Sequence, residues 1–194
     1  LLTNVVDNLV PTYEIELRTI RELCNIDGLA RLSSRDAQNA LLSRMISKAP
    51  GERVPRHRLI RNFIDQNRFE DAETEVRLFE NDFGIDGPVH RYKVLLLKQR
   101  ALHSPGLMEE DRIAILKRAL ALAKGGVAKY STSTRMFRTY GDVALEIYKK
   151  TKDLEPFNLA MAAMKEAEPH IGDPELTRII AAFELRAASS PWMS

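Results

Sequence analysis

The chain is 194 residues long, 44% hydrophobic and 29% charged, enough to bury a sizeable core as one domain or one continuous repeat array. A net charge of +2 implies no bulk attraction to nucleic acid or to a membrane surface, and a single cysteine, Cys24, excludes an intrachain disulfide and fits a reducing cytoplasm. No apolar run approaches the roughly 20 residues of a membrane span, no signal peptide is visible, and the opening Leu1 reads as a fragment or domain of something longer.

Taken in chain order, apolar residues recur at helical spacing almost throughout. Leu2, Val5, Val6 and Leu9 form a short amphipathic stretch stopped by Pro11, and Leu17, Ile20, Leu23 and Cys24 continue until Asp27-Gly28. Ser33 or Ser34 is placed to cap a helix carrying Ala37, Leu41 and Met45 that ends near Pro50-Gly51. Further helices are predicted over 56–66, 69–83, 89–102, 109–124, 133–150, 157–168 and 174–187. Turn signals separate them: Gly84, Gly87-Pro88, Ser104-Pro105-Gly106, Gly125-Gly126 and Gly172-Asp173-Pro174. No strand-like alternation competes, so the expected class is all-α.

The pattern also repeats. Phe69, Ala72, Val76 and Phe79 have counterparts 44 residues on at Ile113, Leu116, Leu120 and Ala123, and again at Phe157, Ala160, Met164 and Ala167. A second set marks the other helix of each pair: Leu59-Ile60-Phe63, Tyr92-Leu95-Leu96, Tyr140-Val143-Ala144-Ile147 and Leu176-Ile179-Ile180-Phe183. Helix pairs at a fixed period describe an α-solenoid, in which each hairpin buries its apolar face only against its neighbours.

These residues resemble the tetratricopeptide-repeat (TPR) family. Residues 56–88 match through Leu59, Phe63, the Asn67-Arg68-Phe69 turn and Ala72; residues 140–167 match through Tyr140, Val143, Ala144, Ile147, Phe157, Ala160 and Ala167. Ile60, Phe79 and Gln99 depart from the consensus, and the 103–109 and 151–156 turns are longer than usual for it. The resemblance implies an α-solenoid of antiparallel helix pairs winding as a right-handed superhelix whose first helices line a partner-binding groove. On that reading residues 1–194 form a single helical-repeat domain. It has degenerate helices over 1–50, repeats at 53–88, 89–128 and 133–170, and a capping helix at 174–187. A weaker resemblance is to the C-terminal sensor arrays of large signalling or defence nucleoside triphosphatases.

Charge is segregated along the chain. Residues 53–68 hold five Arg and one Asp, residues 90–103 four cations and no acid, and residues 129–152 six cations and two acids, each a net +4. The intervening second helices are less basic: 69–82 sums to −5, 109–124 to +1 and 153–168 to −3. In the TPR geometry, His57, Arg61, His90, Lys93, Arg100, Arg138 and Lys149 would face the groove and attract a carboxylate-rich peptide, a C-terminal carboxylate or phosphate groups. The other reading makes these faces solvated, or paired with the acidic helix of a neighbouring repeat.

No pattern for catalysis stands out. The sequence lacks a GxxxxGK[ST] loop, GxGxxG, GxSxG and HExxH, and its four His (57, 90, 103, 170) are scattered without metal-ligand spacing. Cys24 sits on an apolar stripe and reads as core; Met161 and Met164 read as packing; Trp192, in the tail SSPWMS, lies at a terminus expected to fray. The expectation is a non-catalytic protein-interaction module without cofactor or metal, taking an acidic protein or peptide partner, or another domain of its own parent chain, in a basic concave groove. The alternative is a nucleic-acid-binding or ligand-sensing arm of a larger nucleoside-triphosphatase-type signalling or defence protein. Base stacking in that alternative would need aromatics among the cations; Tyr92 and Tyr140 fit core positions, which leaves Tyr148.

Overall fold

A computed structural model describes residues 34–188, and all regular structure within them is helical. The helices are α1 (Arg35–Lys48), α2 (Arg53–Asp65), α3 (Phe69–Phe83), α4 (Gly87–His103), α5 (Glu109–Lys129), α6 (Thr134–Thr151), α7 (Glu155–Ile171) and α8 (Pro174–Ala188). The expectations for the 2–9 stretch, Cys24 and Trp192 lie outside the described residues. By contacts the chain forms two compact units, dividing between Tyr92 and Lys93.

In the first unit, α1 packs on α2 and α2 on α3. Ser34 is the N-cap of α1, its Oγ accepting the Ala37 N–H at 3.1 Å, so one of the helix's orphan donors is satisfied locally. The α2–α3 connection is tight because Asn67 adopts φ 58°, a left-handed conformation that asparagine tolerates better than most residues. Leu59, Ile60 and Ile64 of α2 and Ala72 and Phe79 of α3 are all buried.

In the second unit, α5 packs on α6, α6 on α7, and α8 on both α6 and α7. Val94 and Ala101 of α4 belong to the same core as Leu116, Tyr140, Ala160 and Leu176. Two polar contacts fix the directions. Lys150, late in α6, meets Glu109, at the start of α5, at 2.8 Å, so these helices run antiparallel. Thr134 Oγ1 donates to Asp173 Oδ2 at 2.6 Å, joining the starts of α6 and α8, while Asp173 Oδ1 accepts the Glu175 N–H at 2.9 Å. Those hydrogen bonds hold the Asp173 carboxyl below the usual carboxylate range.

One position of the 44-residue recurrence is fully buried each time: Ala72, Leu116 and Ala160 each have 0% exposure. The 174–187 stretch lies within α8. Leu176, Ile179, Ile180 and Phe183 are buried while Glu175, Arg178 and Arg186 are exposed. Burying a side chain of this kind is worth about 1.5–3 kcal/mol, so the terminal helix is well anchored.

Two predicted ends are corrected. Gly125-Gly126 is not a turn: α5 continues through it to Lys129, with Tyr130 N–H closing on the Gly126 carbonyl at 2.8 Å. Each interior Gly costs about 1 kcal/mol relative to Ala, but continuing the helix seats Gly126 in a buried position and packs Val127 against the core. Likewise α7 runs past 168 through Pro169 to Ile171, where Gly172 at φ 62° supplies the left-handed cap.

Candidate partner-binding surface

The first unit places His57 and Arg61 on α2 and His90 near the start of α4. His57 is largely enclosed: its ring lies 4.6 Å from that of Phe79 and 5.8 Å from that of Tyr92, and its Nε2 meets Asp86 Oδ2 at 3.2 Å. Nδ1 is buried without a hydrogen-bond partner. Burial lowers the imidazole pKa below its ordinary 6.5, outweighing the opposing pull of the Asp86 carboxylate. His57 is therefore a neutral packing group that donates to Asp86, and Asp86 in turn accepts the Val89 N–H at 2.9 Å at the start of α4. Arg61 is only partly exposed and bonds Asp65 at 2.9 Å, one turn along its own helix. His90 is half-buried.

The second unit holds the other four. Lys93 and Arg100 are half-buried on α4, and Lys149 is exposed on α6 with Glu146 at 2.8 Å. Arg138 is exposed on α6 and stands in different company. It shares a groove of about 210 Å³ with Arg178 and Arg186 of α8, with Asp142 and Glu175 at the rim and Ile179 and Phe183 in its floor. Arg186 lies 5.8 Å over the Phe183 ring and 3.9 Å from Asp142. Because α6 and α8 start together and run the same way, their exposed arginines project along one surface. Charge counting along the sequence singles out Arg138 but not Arg178 or Arg186; the parallel placement of α8 beside α6 is what joins them.

Several other cations are spent within the fold. Arg56 of α2 meets Asp82 of α3 at 3.0 Å, and Lys150 of α6 meets Glu109 of α5. First-helix cations thus do pair with acids of an adjacent helix at these positions. Tyr148, the aromatic left over for base stacking, is buried at 5% exposure, as are Tyr92 and Tyr140.

No group of three or more His, Cys, Asp or Glu placed to hold a metal occurs among the described residues, and none of the described helices is long and apolar enough to cross a membrane. No protein-family model matches this sequence, and no curated protein does. Among solved structures, the crystal structure of a thermophilic TPR protein from Thermus thermophilus is similar, with a TM-score of 0.65 and 16% identity, covering 88% of this chain and 82% of that one. The chain has a TPR-like helical-repeat fold.

Proposed function

We propose that this chain is a non-catalytic interaction module that binds an acidic segment, from a partner protein or from another part of its own parent chain, on its first-helix surface. The observation that carries this reading is the α6–α8 groove, where Arg138, Arg178 and Arg186 surround an apolar floor of Ile179 and Phe183. Arginine forks suit carboxylates, since two parallel N–H donors match two oxygens. The floor accepts an apolar side chain beside the acid, and exposed arginines speed encounter through long-range attraction.

Lys93, Arg100 and Lys149 of the same unit belong to this reading as secondary contributors to the positive field, whereas Arg61, His90 and His57 lie in the other unit, where His57 is a packing group. Nucleic acid is the competing ligand for such cations, but with Tyr92, Tyr140 and Tyr148 buried the stacking platforms expected for it are missing from this set.

The experiment compares wild type with an Arg138→Glu/Arg178→Glu double variant. Both are titrated with a peptide of alternating Glu and Leu and with single-stranded DNA, each at two salt concentrations. Peptide binding that falls with salt and weakens about tenfold or more in the double variant supports the reading. Tight DNA binding with a steep salt slope, lost in the same variant, would replace it with the nucleic-acid reading. Peptide binding unaffected by the double reversal would sink the groove.

A further inference from the structure

A second concavity lies within the same unit but is built from different parts: the last turn of α5, the 130–133 connection, the start of α6 and the last turns of α7. It has about 410 Å³ of free volume, with walls of Val127, Phe137, Ala167 and Ile171. Thr132, Glu166 and His170 line its exposed rim. The interior can therefore be reached from solvent, and it is apolar.

Its electrostatics are opposite to those of the α6–α8 groove. No lysine or arginine lines it, and Glu166 places an acidic side chain at the mouth. Val127 lies in the final turn of α5, and His170 and Ile171 lie in the final turn of α7, so two helix C-termini end at the cavity. Each carries about half a negative charge from its unsatisfied carbonyls, a field that falls off within a turn and so is felt at this distance. The exposed side of α7 continues the same character away from the cavity, through Ala162, the half-exposed Leu159 and Glu155. Over 153–168 the chain holds four acids and one lysine, a net −3, and that lysine, Lys165, is paired with Glu184 at 2.6 Å.

We infer that this cavity is a second docking site, and that its occupant is a basic peptide segment that inserts one bulky apolar side chain and lays flanking lysines or arginines against Glu166 and the two helix ends. The charge chooses the occupant: an acidic segment meets a like-signed carboxylate and two negative helix ends, a basic one meets complementary charge with an apolar pocket for its anchor. The α7 stripe then accommodates the chain leaving the pocket, with Leu159 available to a second apolar residue and Glu155 to a second cation. The chain would therefore join two partners of opposite charge through two separate faces of one unit.

The test uses a fluorescein-labelled peptide with a central tryptophan and two lysines on each side, a version with glutamates for the lysines, and a version with alanine for the tryptophan. Two variants are compared with wild type after circular dichroism establishes that they fold: Glu166→Lys, a charge reversal on an exposed position, and Thr132→Trp, which fills the cavity from the exposed connection. The lysine–tryptophan peptide is expected to bind wild type in a salt-sensitive way. It should weaken about fivefold or more in Glu166→Lys and about tenfold or more in Thr132→Trp. Both variants should bind the Glu–Leu peptide of the α6–α8 groove as wild type does, so a failure of that groove is separable from a failure of this one. The proposal is overturned if the lysine–tryptophan peptide fails to bind at millimolar concentration, if the glutamate or alanine version binds as well, or if either folded variant binds unchanged.

Discussion

Arg112 Nη1 donates to the carbonyl oxygen of Ala101 at 2.6 Å, reaching from the first turn of α5 back to the last turn of α4. The same guanidinium also bonds the carbonyls of Leu102 at 3.1 Å and Ser104 at 2.9 Å, so one side chain serves carbonyls that a helix C-terminus leaves without intrahelical partners. It also places a positive charge at the negative end of the helix dipole. Arg112→Met keeps the stem but strips the donors, and we expect it to cost about 1–3 kcal/mol. Arg112→Lys should recover only part of that, since an ammonium cannot span several carbonyls as a planar fork does. Urea titration of the three proteins checks the order; an unchanged midpoint for Arg112→Met would contradict it.

Gly141 sits where α6 meets both α7 and α8. A methyl group built there would collide with Met164 Cε and stand 2.7 Å from Phe183 Cε2. Met164 can swing its terminal methyl aside, but the Phe183 ring is packed edge-on against Phe157, with 6.1 Å between centroids, and has less room to move. Gly141→Ala therefore sets a helix-propensity gain of up to about 1 kcal/mol against an overpacking cost of about 1–3 kcal/mol. We expect net destabilisation, with α8 loosened first. Hydrogen exchange would show it as faster exchange at Ile179 and Ile180 than at Val143; a rise in melting temperature would refute it.

Much of this fold was legible because repeat packing leaves a periodic mark. Ala72, Leu116 and Ala160 recur at 44 residues and are each fully buried, and Ser34 announces its helix through ordinary capping chemistry. Arg112 left no such mark: its acceptors are main-chain carbonyls, which every residue has. Gly125-Gly126 misled for a related reason, since local propensity favours a turn there and only the tertiary seat of Gly126 and Val127 reverses it. The candidate surface was half legible. Counting charge found basic first helices, but which cations are consumed depends on partners such as Asp82 for Arg56 and Glu109 for Lys150, and those pairings exist only once the helices are stacked.

His57 makes stability depend on pH. Its folded pKa is lowered below 6.5, chiefly by burial. The unfolded chain therefore binds the proton more readily. Stability from the neutral imidazole is fully present above the unfolded value and declines as pH falls from about 6.5 toward the lower folded value. Protonation would also leave a buried N–H at Nδ1 without an acceptor. Denaturation midpoints between pH 7.5 and 5 should fall more for wild type than for His57→Gln. Parallel curves for the two proteins would remove His57 as the cause.

Asn39 and Asn62 join α1 to α2 inside the first unit. Asn62 Nδ2 donates to Asn39 Oδ1 at 3.1 Å in a buried position, Asn39 Nδ2 donates to Gln66 Oε1 at 3.2 Å, and Arg35 Nη1 reaches Asn62 Oδ1 at 3.3 Å. Three amides and a guanidinium thus meet between the two helices. A buried polar group left without its partner costs about 1–3 kcal/mol, whereas removing both partners together can be nearly neutral. Asn62→Leu leaves Asn39 Oδ1 without its donor and should destabilise by that amount, and Asn39→Leu should likewise leave Asn62 Nδ2 without its acceptor. In the double variant Asn39→Leu/Asn62→Leu, two apolar side chains meet across the interface, and the loss should be clearly smaller than the sum of the two singles. A thermodynamic cycle on the four proteins measures that coupling directly. Strictly additive losses would mean that the two amides stabilise α1 and α2 separately, and that the observed hydrogen bond contributes little to holding one helix in register with the other.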